Sequence, residues 1–183
     1  MRHILILACT VISLLLCAST EDTEDILCWT ERRLTFEDFK AVYNDSIHKA
    51  YPTALGLIEK TIRVNSKLKG DTITYVITAC MKRNISWIKM IGDSATLIHE
   101  QAHFDICEIY ARILRREIKS TTSKVEAKAL WKLTTKNEEI EHDCFDSENC
   151  HVNGGVKQEW QSYIQNRLKE LDNFKDPAVK IVY

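Results

Sequence analysis

The segment from Asp93 to Ile118 constrains the fold of this chain more than any other part of the sequence. It contains neither Pro nor Gly, and Asp93 or Ser94 can cap its start directly after Gly92. Apolar residues recur along it at intervals of three and four, which is the period of an amphipathic helix; they are Ala95, Ile98, Ala102, Ile106, Ile109 and Ile113. The sequence therefore predicts one long helix over this segment.

The predicted helix carries a His-Glu-x-x-His motif at residues 99–103. Because an α-helix has 3.6 residues per turn, His99 and His103 lie about 40° apart on one face, one turn above each other. Two imidazoles so placed can bind one zinc ion, and the carboxylate of Glu100 can take a proton from a zinc-bound water. We predict that His99 and His103 are metal ligands and that Glu100 is the catalytic base. The alternative is that both histidines are ordinary core or surface residues of a helix.

A catalytic zinc site usually has three protein ligands and one position left for water. Glu108 and Glu117 lie on the same straight helix and cannot turn back to the metal. The remaining candidates follow that helix: Glu138, Glu139, Glu141, His142, Asp143, Asp146 and His151. We favour His151, because a Cys144–Cys150 disulfide would stiffen the polar segment that carries it. His142 is the second choice and a carboxylate the third.

Two further roles in such a site have candidates but no clear assignment. A donor to the developing oxyanion can come from one of four side chains: Tyr110, Arg112, His142 and Tyr163. Asp105 can accept a hydrogen bond from the second nitrogen of a ligand histidine, or it can be a surface charge of the helix. Cys107 lies one turn beyond His103, where a buried thiol or half of a disulfide is expected rather than a metal ligand.

The first 19 residues have the pattern of a signal peptide. A short basic start at residues 1–3 is followed by an apolar run from Ile4 to Leu16 and by small residues that suit cleavage after Ser19. The apolar run is too short to span a bilayer comfortably, and no other segment approaches its length. Lipid attachment at Cys17 is the alternative, although Leu16 stands where a small residue is expected. We predict one secreted or periplasmic domain over residues 20–183, with no stable membrane insertion after signal removal.

The charge and the cysteines of the remaining chain agree with this compartment. The formal net charge of the full 183 residues is −1 and neither sign dominates a long stretch, which argues against a nucleic acid as partner. Five cysteines follow the leader: Cys28, Cys80, Cys107, Cys144 and Cys150. Outside the cytosol they predict disulfides rather than zinc thiolates, since no Cys-x-x-Cys pair is present. Cys80 can pair with Cys28 or Cys107, and Cys144 can pair with Cys150.

The other elements indicate an α+β domain. Thr35 and Asp38 suggest the cap of a short helix, and residues 55–68 and 72–81 read as a β-hairpin with a turn at 69–71. Its second strand is expected to place Ile73, Tyr75 and Ile77 on one face, and a short extended piece is expected at residues 86–88. The sequence thus predicts a small sheet packed on the motif helix.

Two more helices are expected towards the C-terminus. The first covers residues 123–139, with Val125, Ala129 and Leu133 inward, and the last covers residues 156–171. The intervening residues 141–155 are polar, contain cysteine and glycine, and are predicted to form an ordered loop.

Residues 99–106, His-Glu-Gln-Ala-His-Phe-Asp-Ile, are the most specific of several stretches that resemble one known family. The others are residues 34–39, Ser86-Trp87, Glu108, Ala111-Arg112, Leu114-Arg115, residues 145–151, which resemble a Tyr-Asp-x-Glu-Thr-x-His segment, and Gln158-Glu159-Trp160. The family consists of secreted bacterial proteins described as zinc-dependent proteases of the zincin type, whose biological role is unassigned. This chain differs from it in having Phe145 in place of Tyr and Val152 in place of Gly.

The resemblance implies a zincin-like metallopeptidase domain that binds Zn2+ and cleaves a peptide or protein substrate. Carried over by position, it supports His99, His103 and His151 as zinc ligands and Glu100 as the base. A different class of function stays open: a zincin-fold binding or structural module of the cell envelope that does not catalyse. A third reading is a secreted helical interaction protein in which the histidines have no chemical role.

Overall fold

The computed structural model describes residues 25–29, 32–149 and 155–182. The predicted signal peptide with its alternative lipid site at Cys17, as well as Cys150 and His151, lie outside these residues. The described helices are α1 (Asp45–Ala50), α2 (Ser94–Ile118), α3 (Lys124–Asn149) and α4 (Gln158–Glu170), and the strands are β1 (Ile26–Cys28), β2 (Gly56–Leu57), β3 (Lys60–Lys69), β4 (Thr72–Lys82), β5 (Trp87–Ile88) and β6 (Ala178–Val182). Short 3-10 turns span Phe36–Asp38 and Asp172–Phe174. The prediction of an α+β fold with a small sheet is confirmed.

Strand β4 is the centre of the main antiparallel sheet. It pairs with β3 along one edge, and β1 and β6 share its other edge. The predicted hairpin is confirmed, and its turn uses Gly70 at φ 64°, a conformation that glycine adopts without strain. Ile73, Tyr75 and Ile77 are buried on one face as predicted. Strands β2 and β5 form a separate two-stranded sheet.

Helix α2 lies between the main sheet on one side and α3 and α4 on the other. Asp93 caps it by accepting hydrogen bonds from the backbone N–H groups of Ala95 and Thr96, which confirms the predicted start. Of the predicted apolar stripe, Ala102, Ile106 and Ile109 are buried on the side of α3 and α4, whereas Ile98 is 43% exposed. A second apolar face packs towards the sheet, through Phe104, Cys107, Ala111, Leu114 and Ile118. Because both faces are covered, α2 is a central helix that holds its residues in fixed positions.

A buried ionic cluster ties α2 to the sheet and to the C-terminal elements. Glu108 is 1% exposed and accepts from Arg112 Nε at 2.9 Å and from Arg115 Nη1 at 2.8 Å. Arg115 also donates to the carbonyl of Ile77 in β4, and Arg112 donates to the carbonyl of Leu168 in α4. The charges are paired and hydrogen-bonded, as buried charges must be. Their partners fix α2 against both layers.

Helix α3 differs from its prediction in length and in its inward face. It runs to Asn149, so most of the predicted loop at 141–155 is helical. Val125 and Leu133 are 79% and 55% exposed instead of inward. The buried residues are Ala127, Thr134, Glu138, His142, Phe145 and Asn149. Because four of these six buried residues are polar, hydrophobic periodicity does not reveal this face.

The C-terminal part contains one predicted element and one that was missed. Helix α4 agrees with the predicted final helix within two residues at its start. Strand β6 was not predicted, although Val179 and Ile181 alternate with exposed residues and complete the sheet beside β4. Among the residues that the structure describes, no helix is long and apolar enough to cross a membrane.

Candidate metal centre

Three side chains from two helices converge on one point beside α2. His99 Nε2 lies 3.0 Å from Asp146 Oδ1, His103 Nε2 lies 2.9 Å from the same oxygen, and the two Nε2 atoms are 3.2 Å apart. Zinc bonds to nitrogen and oxygen of about 2.0–2.1 Å in a tetrahedron separate the ligand atoms by about 3.3 Å. The two imidazoles and the carboxylate therefore have the donor types and the spacing of a metal site, and this group could hold a metal ion.

The ring of Phe145 backs both histidines. Phe145 is fully buried on α3, and its ring centroid lies 4.8 Å from those of His99 and His103. Asp146 is the next residue of α3, and its side chain is 56% exposed. The contact between α2 and α3 thus sets the separation between the histidines and the carboxylate. One edge of the site stays open to solvent.

The second nitrogen of each histidine has a partner of its own. His99 Nδ1 donates to the carbonyl of Gly155 at 3.0 Å, and His103 Nδ1 lies 2.9 Å from His142 Nδ1. Gly155 has φ 82°, and a Cβ at this position would lie 2.1 Å from the carbonyl oxygen of Ala95, so only glycine fits. Hydrogen bonds at the second nitrogen are the usual support of metal-binding histidines. Both rings are therefore held with Nε2 towards Asp146.

Asp105 does not provide this support, and that alternative is wrong. Its carboxylate accepts from the indole of Trp29 at 3.0 Å and from the amide of Gln101 at 2.7 Å. Gln101 in turn accepts from the backbone N–H of Leu34. Asp105 instead helps to fasten the segment before the first 3-10 turn to α2.

The charges around the converging atoms favour metal binding. Burial lowers the pKa of His103 to about 4, so its ring is neutral at pH 7, as a ligand must be. Burial opposes the charge on Asp146, but hydrogen bonds from His103 and His99 outweigh it and hold the pKa of that carboxyl well below its usual range. Burial also opposes the charge on His99, yet Asp146, Glu100 and the Gly155 carbonyl together raise its pKa. A cation bound here would replace the proton of His99.

Glu100 lies next to this group and is almost completely covered. Its side chain is packed under β2, so that a Cβ on Gly56 would lie 2.7 Å from Glu100 Oε1. Burial raises the pKa of Glu100 to about 7, although the charge of His99 and a hydrogen bond from the Ile58 backbone N–H lower it in part. A carboxyl with a pKa near neutrality suits a general base at pH 7.

The described residues test the other candidates only in part. His151, the favoured third ligand, lies outside them. His142 does not join the converging atoms, because it sits behind His103 on the Nδ1 side. Asp146, one of the carboxylates left as third choice, is the residue that the structure brings to both motif histidines.

The remaining candidates have other partners. Tyr110 donates to Glu141 at 2.9 Å, and Arg112 belongs to the ionic cluster of Glu108. Cys107 is a buried thiol, as expected. Glu138, His142 and Asp146 stand four residues apart on α3, and that spacing is the sequence signal that would have revealed them.

Comparison of the chain with protein-family models, curated proteins and solved structures finds no match.

Proposed function

We propose that this chain is a secreted zinc-dependent hydrolase, and specifically a metallopeptidase with a zincin-like domain. His99, His103 and Asp146 supply the metal donors, and Glu100 is the general base. The observation that carries the proposal is the convergence of two imidazoles and a carboxylate beside a buried glutamate of the same helical turn. The resemblance of residues 99–106 to zincin-type proteases supports the same reading.

Zinc is proposed as the metal because of Glu100. Two histidines and one carboxylate are a donor set of catalytic zinc, and also of iron(II) oxygenases. A carboxylate of the same helical turn beside the donors can remove a proton from water, which hydrolysis requires. Metal analysis of the purified protein identifies the ion directly.

Different residues of the chain have different roles in the proposed peptide hydrolysis. Zinc bound here would lower the pKa of a coordinated water from 15.7 towards about 7 and polarise the scissile carbonyl. Glu100 accepts the proton of the attacking water and passes it to the leaving amine, a role that typically contributes about 10²–10⁴ to the rate. The backbone N–H of Ile58 holds the Glu100 carboxylate in place. The ring of Phe145 packs against both histidines, with its centroid 4.8 Å from each of theirs.

The decisive experiment replaces Glu100 with Gln, which has the same shape and cannot accept the proton. We expect Glu100→Gln to bind one zinc per chain as the wild type does, and to cleave an unstructured protein substrate about 10²–10⁴-fold more slowly. Glu117→Gln, on the same helix and outside the site, is the matched control and should change neither property. A fully active Glu100→Gln protein contradicts the proposed mechanism.

One observation favours a second function, a non-catalytic zinc-binding or structural module of the cell envelope. Glu100 is only 3% exposed, and strand β2 covers the carboxylate that has to meet water and substrate. Wild-type protein that binds one zinc and cleaves no peptide under any condition tested supports this second function instead.

A further inference from the structure

A buried line of hydrogen bonds runs from His103 into the protein, away from Asp146. His103 Nδ1 lies 2.9 Å from His142 Nδ1, and His142 Nε2 lies 3.0 Å from Glu138 Oε1. His103, His142 and Glu138 are 8%, 5% and 4% exposed. We call these three residues the relay. His142 and Glu138 contact none of the converging donor atoms.

The positions of the hydrogens in the relay follow from its geometry. Two Nδ1 atoms face each other, so one must donate and the other must accept. When His103 offers the lone pair of Nε2 to a cation, its neutral ring carries the proton on Nδ1 and donates to His142. His142 then accepts at Nδ1, carries its own proton on Nε2 and donates to Glu138. Each of the two rings therefore has one defined tautomer, and the series of hydrogen bonds ends at the carboxylate of Glu138.

The carboxylate at the end of the relay has partners that compensate its burial. Glu138 accepts from His142 Nε2 and from the thiol of Cys107. The positive charge of Lys60 acts on His142 and Cys107 from the sheet side. Replacing a buried polar pair by apolar residues is often neutral or even stabilising. Stability alone is therefore a weak reason for Glu138 and His142 to occupy the core directly behind His103.

We propose that His142 and Glu138 are positioning residues of the metal centre, which hold His103 in the tautomer that presents Nε2 to the cation. The negative charge of Glu138, passed through two imidazoles, also makes His103 a stronger donor. This inference rests on the metal site of the proposed function and adds two residues that do not touch the metal. It concerns metal affinity rather than turnover.

The test measures the zinc dissociation constant by competition with a chromophoric chelator. His142→Phe keeps an aromatic ring against His103, whose centroid is 5.0 Å away, but leaves Nδ1–H without an acceptor. We expect it to bind zinc about 10–100-fold more weakly. Glu138→Gln keeps an oxygen acceptor and removes the charge, so we expect a loss of about tenfold, the lower end of that range.

Thr134→Val is the matched control. Thr134 lies on the same face of α3, one turn before Glu138, and is 6% exposed, but it has no part in the relay. We expect its zinc affinity to equal that of the wild type. Circular dichroism and the thermal midpoint of each variant show whether the fold is retained.

A second measurement reads the tautomers of the wild-type protein. In the zinc-loaded protein, 15N NMR of the histidine rings should show His103 protonated at Nδ1 and His142 protonated at Nε2. A merely structural role for His142 does not require this pair of tautomers. Because this measurement uses the wild-type protein, it tests the relay even if His142→Phe fails to fold.

The results of these measurements distinguish a failure of the relay proposal from a failure of the proposed hydrolase function. Zinc affinity within about twofold of wild type in both His142→Phe and Glu138→Gln overturns the relay, as does a His103 protonated at Nε2. Wild-type protein with the expected tautomers and affinities but no peptide cleavage supports the relay and contradicts the hydrolase. Wild-type protein that binds no zinc overturns both.

Discussion

Gly56 determines where the carboxylate of Glu100 lies. A Cβ at this position would approach Glu100 Oε1 to 2.7 Å and Thr96 Cγ2 to 2.8 Å. Both atoms are at the ends of side chains, which move more easily than backbone. Even one methyl group would therefore displace the carboxylate while leaving strand β2 in place.

Gly56→Ala should lower kcat/KM for peptide hydrolysis by about 10–100-fold, because a displacement of about 1 Å can cost a factor of 10². Zinc affinity should stay unchanged, since none of the metal donors touches Gly56. Steady-state kinetics and chelator competition measure the two effects. Gly70→Ala, in an exposed turn at φ 64°, controls for lost stability and should keep its activity. Full activity in Gly56→Ala, or a parallel loss of zinc, contradicts this role.

At the scale of single residues, the sequence predicts only those site residues that lie together on one turn of a helix. His99, Glu100 and His103 follow from local geometry, because helix period alone places them. Gly155 lies 56 residues from the histidine that it supports. Contacts of that kind arise only when distant segments pack, so no local pattern marks them.

Helix α3 shows how a polar face can be a buried face. The side chains of His142 and Glu138 bond to each other, and that of Asn149 donates to the carbonyl of Phe145. Satisfied polar groups can take core positions at little net cost. Hydrophobic periodicity therefore selected the wrong face and ended the helix too early. It predicted α2 because eight of the fifteen buried residues of α2 are apolar, against two of six in α3.

The same helix offers a direct test of the third donor. Asp146→Asn should weaken zinc binding by more than about 100-fold, the upper end of what loss of a supporting residue costs, because the amide brings no charge. Asp143→Asn, an exposed carboxylate of the same helix, should bind zinc as the wild type does. Chelator competition measures the zinc affinity of these two variants and of His151→Asn. The comparison shows whether Asp146 or His151, the ligand favoured from the sequence, is the third donor. Normal affinity in Asp146→Asn assigns the position to another residue.

At the scale of the whole molecule, the strands nearest its two ends, β1 and β6, both pair with the central strand β4. Cys28 in β1 is bonded to Cys80 in β4, 52 residues away, which confirms one of the two predicted partners of Cys80. Strand β6 joins the other end of β4, where Thr72 stands opposite Val182. The sequence predicts the hairpin at the centre of the sheet because its strands are adjacent. It does not predict β6, since that pairing spans most of the chain.

Loss of the disulfide should lower the free energy of unfolding by about 4 kcal/mol, the chain-entropy value for a loop of this length. Urea unfolding of the Cys28→Ser/Cys80→Ser double variant measures the effect, and Cys144→Ser is the control, because Cys144 is an exposed free thiol in the structure and not half of the predicted Cys144–Cys150 disulfide. Such a loss is consistent with a protein that matures outside the cytosol. Equal urea midpoints for wild type and double variant contradict this contribution.

The three proposed metal donors differ in their exposure to solvent. The side chain of Asp146 is 56% exposed, against 23% for His99 and 10% for His103. At the proposed metal site, an incoming cation would meet the carboxylate first and exchange its hydration shell there before it reached the imidazoles. It would leave by the same route in reverse, so a chelator could take it without any opening of the core.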